Sequence, residues 1–115
     1  MSTITSTPFE AEHLRSDETI EVRLRGELDV AAGPELWSCL APVLEASGVH
    51  LRTLVLDLSA LDFMDAAGLG VIMRLANKLR STGGSICIRS PRPLVRRVLD
   101  LTEVGQVLHV EPEPV

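Results

Sequence analysis

Leu56-Asp57-Leu58-Ser59-Ala60-Leu61-Asp62-Phe63-Met64-Asp65-Ala66-Ala67-Gly68-Leu69-Gly70-Val71 is the stretch on which the fold turns. Its first part completes a β-rich run, residues 51–59, whose second half is almost continuously apolar. That composition belongs to a central strand covered on both faces or nearly so. The period then changes. Asp65 is suited to cap a helix, and Gly68, Ile72, Leu75, Ala76 and Leu79 recur on one helical face. Arg74, Asn77, Lys78 and Ser81 point elsewhere, and Gly83-Gly84 is the stop.

Upstream, residues 19–25 alternate, with Ile20, Val22 and Leu24 on one face and charges on the other, which predicts a strand with one wet face. An earlier piece, residues 7–14, pairs with it across the polar turn Arg15-Ser16-Asp17-Glu18, and the chain breaks at Gly26 and Gly33. Gly33-Pro34-Glu35 opens a first helix, with a proline suited to the first position and an acid at the positive helix end. Leu36, Leu40, Val43 and Leu44 follow at helical spacing up to Ser47-Gly48, and Pro42 predicts a kink or restart. Downstream, residues 85–89 read as a strand, Pro93 opens a third helix carrying Leu94, Val95, Val98 and Leu99, and residues 106–110 form a last short strand.

The order is two strands, helix, strand, helix, strand, helix, strand. Regular alternation implies right-handed crossovers, hence an α/β domain with a mixed, largely parallel sheet and three main helices. A length of 115 residues fits one domain over 1–115, with loose ends at 1–6 and 111–115.

Composition excludes several functions. Only Phe9, Trp37 and Phe63 are aromatic and the net charge is −5, so base stacking and phosphate binding are both poorly served and no direct nucleic-acid contact is expected. No apolar run approaches the roughly 18 residues that span a bilayer, and the N-terminal sequence has no secretory pattern. The reading is a cytoplasmic protein without membrane insertion. His13, His50 and His109 are scattered, so no metal is expected, and the absence of GxxxxGK[ST] and of Gly-x-Ser-x-Gly removes the sequence cues for a cofactor or for catalysis. Asp57 at the end of a buried strand is also a feature of phospho-accepting receivers. That chemistry needs an adjacent acidic pair and a late lysine, whereas Lys78 is the sole lysine and Gly26-Glu27-Leu28-Asp29 holds no such pair.

The stretch from Leu56 to Val71, with Gly26-Glu27-Leu28-Asp29 and the later Leu99-Asp100-Leu101-Thr102, resembles the STAS domain of bacterial anti-sigma factor antagonists over residues 19–110. The phrase F-M-D-[ST]-[ST]-G-L-G carries most of that resemblance. It implies a STAS-like fold and a non-enzymatic role: the loop and helix start dock onto an anti-sigma factor of the histidine-kinase-like ATPase type, which releases a sigma factor. In the family a serine before the glycine is phosphorylated to end the interaction. Here the two hydroxyl positions are Ala66 and Ala67, with Ala67 matched to the acceptor, so the off-switch is missing. The alternative implied by the same resemblance is a structural STAS subunit of a stress-signalling scaffold or a membrane-transport complex, and a homodimer is compatible with either.

The partner-binding candidates are Asp29, Asp62, Asp65, Ala66, Ala67, Gly68 and Leu69. Asp29 and Asp62 are expected in loops outside the carboxyl ends of neighbouring strands, forming with Asp65 an acidic rim for a basic partner. Each has a plainer reading: Asp65 as a cap, Gly68 as a close-packing residue, Leu69 and Met73 as core. Arg89, Arg92, Arg96 and Arg97 hold four of the 11 basic residues, as a solvated face or a site for an acidic group. Cys39 and Cys87 read as reduced thiols, with redox control as the functional alternative and no bond between them expected.

Overall fold

A computed structural model describes residues 9–47, 51–101 and 108–111. The elements are β1 (Phe9–Ser16), β2 (Thr19–Leu28), α1 (Gly33–Ser47), β3 (Thr53–Met64), α2 (Ala66–Arg80), β4 (Ser85–Arg89), α3 (Pro93–Asp100) and β5 (Leu108–Val110). They form one five-stranded sheet in the order β1-β2-β3-β4-β5, antiparallel between β1 and β2 and parallel thereafter. The expected class and element order are those observed. The predicted stop at Gly48, Thr102, Gln106-Val107 of the last strand and the ends 1–6 and 112–115 lie outside the described residues.

Sequential strand order with right-handed crossovers places α1, α2 and α3 on the same face of the sheet. Ile20, Val22 and Leu24, Leu54, Leu56 and Leu58, and Ile86 and Ile88 point to that face and are almost fully buried under the helices. The expected central strand covered on both faces is observed, with Leu54, Val55, Leu56, Asp57 and Leu58 all buried. The opposite face carries no helix; it is covered by its own charged side chains. Register sets Glu12 beside Arg23, Arg23 beside Asp57 and Asp57 beside Arg89, a row of alternating sign that Glu111 extends. Arg23 pairs with Asp57 at 3.4 Å, and Arg89 pairs with Glu21 and, at 3.2 Å, with Glu111. Glu111, expected to be loose, also donates its backbone N–H to Ile88 at 2.9 Å.

Several boundaries differ from the sequence reading. The opening turn narrows to Asp17-Glu18, because Asp17 adopts a positive φ of 48° that a short polar side chain tolerates, and Arg15 and Ser16 stay in β1. β2 does not break at Gly26 but passes through it at φ 92°. α1 runs unbroken through Pro42. Pro42 and Ser38 are both exposed, so the Ser38 carbonyl that loses its helical donor is open to water. An interior proline costs about 3 kcal/mol, whereas burying Leu36, Leu40 and Leu44 stabilises by roughly 1.5–3 kcal/mol each, and the packing prevails.

Asp57 is the sole buried charged residue among those described, 7% exposed on the helix-free face. Burial alone would raise its carboxyl pKa, but hydrogen bonds from Ser59, at 2.9 Å from the backbone, and the Arg23 guanidinium outweigh burial and hold it below the ordinary 3.8. A depressed folded-state pKa contributes stability that is complete above 3.8 and is lost as the pH falls below it. Asp57→Asn keeps an oxygen for the Ser59 amide and removes only the charge. Its stability deficit against wild type in urea is expected to shrink as pH drops from about 7 to about 3. A deficit independent of pH would show that the charge is irrelevant.

Candidate functional site at the carboxyl edge of the sheet

Three chain reversals meet at the carboxyl edge. After β2, the Asp29 carboxylate accepts the backbone N–H groups of Ala31 and Ala32, both at 3.0 Å, and its carbonyl accepts from Gly33 at 2.9 Å. This closes a tight turn into α1. After β3, Asp65 caps α2, its carboxylate accepting from the Gly68 amide at 2.9 Å. The Asp65 amide donates to the Leu28 carbonyl at 3.3 Å, and Gly68 lies against the same carbonyl, so the two turns are joined. Ala66 and Ala67 occupy the first turn of α2 and are exposed.

Asp62 is not in a loop. β3 continues to Met64, five residues beyond the predicted end, and its register against β2 slips between Gly26 and Glu27. Gly26 pairs with Leu61 and Glu27 with Phe63, which leaves Asp62 as the extra residue. A bulge of this kind redirects a side chain. Asp62 meets Arg92, just before α3, at 2.5 Å, while Arg92 Nε donates to the Ser59 carbonyl at 2.8 Å. The expected acidic rim is therefore internally engaged: two carboxylates hold backbone amides and the third holds Arg92.

Leu69, at 5% exposure, packs in the core, as the plainer of its two readings has it. Met73 is half-buried against that core. The four arginines do not form one patch. Arg89 lies on the helix-free face, Arg92 is tied to β3, Arg96 approaches Asp100 at 4.0 Å along the helix, and Arg97 is exposed. Cys39 is exposed on α1, whereas Cys87 lies on the helix-free face, so the sheet separates them. Burial and then Glu111, which the thiol contacts at 3.3 Å, push the Cys87 pKa up to about 11, which disfavours the reactive thiolate and redox control through this residue.

The exposed apolar residues of this edge were missed. Phe63 is 43% exposed, Leu94 65% and Leu101 80%, and with Met64, Val98 and Arg97 they line a groove of about 230 Å³ between the end of β3 and α3. The sequence places Leu94 on the third helix without saying which way it faces. Phe63 was the one available cue, an aromatic ring in an aliphatic stretch; nothing local announces that Arg92 meets Asp62 across 30 residues.

Among the described residues no group of three His, Cys, Asp or Glu side chains could hold a metal, and no helix is long and apolar enough to cross a membrane. The arrangement is a capped, exposed helix start joined to a neighbouring turn.

The STAS domain model matches residues 10–114, and the chain belongs to the STAS domain family. Among its relatives is the anti-sigma-B factor antagonist of Bacillus subtilis (strain 168), 29% identical over 96 residues, which are 84% of either chain. The anti-sigma F factor antagonist of Lysinibacillus sphaericus is 28% identical over 76% of this chain and 74% of its own. Of the solved structures, an anti-sigma factor antagonist from Mycobacterium paratuberculosis superimposes with a TM-score of 0.79 at 26% identity, covering 95% of this chain and 92% of that one. The anti-sigma factor antagonist SpoIIAA in its unphosphorylated form gives 0.75 at 26% identity, over 91% and 89%.

Proposed function

We propose that this chain is an anti-sigma factor antagonist, which captures an anti-sigma factor of the kinase-like ATPase type and leaves a sigma factor free. The observation that carries this reading is the first turn of α2. Asp65 caps it, Gly68 pins it to Leu28, and Ala66 and Ala67 stand exposed on it. The names of the relatives and the closeness of the superposed folds support the same role. Docking at this turn calls for a rigid, accessible helix start, and alanine, a strong helix former, preserves it. Neither alanine offers a hydroxyl, so capture is constitutive with respect to phosphorylation of this turn.

The test is a three-component titration. The protein is expected to form a stoichiometric complex with the ATPase-type anti-sigma factor of its own genome and to displace the bound sigma factor. Incubation of that complex with ATP should add no phosphoryl mass to residues 65–69. Failure to bind any such anti-sigma factor, with recovery in a permease complex or a large scaffold of related domains, would replace this reading by that of a structural subunit.

A further inference from the structure

We infer that the groove between β3 and α3 is a second half of the docking surface, and that it receives an apolar segment of the anti-sigma factor carrying an acidic side chain that meets Arg97. This rests on the function proposed above and adds the chemistry of the partner.

α3 is only eight residues long, yet it carries two apolar stripes. Val95 and Leu99 are buried against the sheet, which is the packing the fold requires. Leu94, Val98 and Leu101, spaced by four and three residues, form the other, and two of the three are largely exposed. Phe63 and Met64 complete the groove from the end of β3. Single exposed apolar residues are ordinary, but a contiguous apolar hollow beside a recognition turn marks an interaction site.

The same partner is indicated by continuity. Phe63 and Met64 directly precede the Asp65 cap, so one wall of the groove leads into the exposed turn at Ala66 and Ala67. The groove is also preformed. Arg92 ties the start of α3 to β3 through Asp62 and the Ser59 carbonyl, so little ordering is needed on binding.

Charge selects the occupant. Of the three arginines on or beside α3, Arg92 is paired with Asp62 and Arg96 approaches Asp100, whereas Arg97 is exposed and no acid is paired with it among the described residues. It is the charged member of an otherwise apolar lining, and an incoming carboxylate would gain a charge-assisted bond there. This differs from the basic partner surface that an acidic rim calls for.

Calorimetric titration of wild-type protein, Leu94→Glu, Arg97→Glu and Arg97→Lys with the anti-sigma factor tests this. Leu94→Glu is expected to weaken binding about 30-fold or more, Arg97→Glu about tenfold, and Arg97→Lys only slightly. Both positions are exposed, and circular dichroism checks that each variant is folded; Leu94→Ser serves if the glutamate does not fold. Wild-type affinity in both Glu variants overturns the groove while leaving the proposed function intact. Failure of the wild type itself to bind overturns the function. A wild-type dimer that Leu94→Glu dissociates, with anti-sigma binding unchanged, assigns the groove to a second copy and also overturns the inference.

Discussion

Gly68→Ala is expected to be the most destabilising conservative substitution on α2, lowering stability by about 2–3 kcal/mol despite improving helix propensity. A Cβ at this position would lie 2.2 Å from the Leu28 carbonyl oxygen, 2.8 Å from Leu28 Cγ and 3.0 Å from its carbonyl carbon. Neither side has room to yield, because that carbonyl also accepts the Asp65 amide and the Leu28 side chain is fully buried. Alanine would favour the helix by about 1 kcal/mol, and overpacking costs about 1–3 kcal/mol or more, so the clash decides the sign. Gly70, two residues on, is the internal control: nothing lies within 4 Å of its would-be Cβ. Gly70→Ala should therefore stabilise by about 0.5–1 kcal/mol. Urea denaturation of the pair reads both. Equal and positive effects would mean that α2 and the β2 turn are not locked together, and the rigid helix start would lose its basis.

Local signals carried much of this fold. The alternation in residues 19–25, the capped change of period at Asp65 and the Gly83-Gly84 stop each depend on a few neighbouring residues, and each has its counterpart in β2, α2 and the turn after it. What was not legible depended on meetings across the chain. The extension of β3 through Ser59 to Met64 is made by bulges against β2, and a bulge is a property of two strands. The Asp62–Arg92 pair spans 30 residues. The exposure of Leu94 was hidden by a related ambiguity: on a short helix with two apolar stripes, spacing alone does not say which one faces the sheet. The placement of Arg89 on the helix-free face likewise follows from strand order, although its sequence neighbourhood groups it with the arginines of α3. The carboxylate of Asp65 was legible as a cap former and the structure gives it that work, whereas the turn that Asp29 closes was not read from the sequence.

Adding negative charge to the exposed turn is expected to separate folding from docking. Ala66→Glu and Ala67→Glu should both fold, since an acid in the first helical turn gains roughly 0.3–1 kcal/mol from the unpaired amides of that end. The turn is also exposed, so neither side chain meets a packed neighbour within the domain. In the complex the situation reverses. A carboxylate buried against the partner close to Asp65 and without a matching base stays desolvated and uncompensated, which costs about 2–5 kcal/mol, or about 30-fold and upward in affinity. Ala67→Gln supplies the size of glutamate without the charge. Weak binding by the glutamate variant and near-normal binding by the glutamine variant identifies electrostatics as the cause; equal loss identifies shape. The serine variants ask whether the missing switch can be restored. Ala66→Ser and Ala67→Ser should bind as wild type until the ATPase partner and ATP are supplied, and a phosphoserine would then add about −1.5 to −2 charges at the same place. Comparing the two serines shows which position faces the γ-phosphoryl group, a matter of less than one helical turn. Wild-type affinity in both glutamate variants would remove the helix start from the interface and leave this chain sharing only a fold with the antagonists.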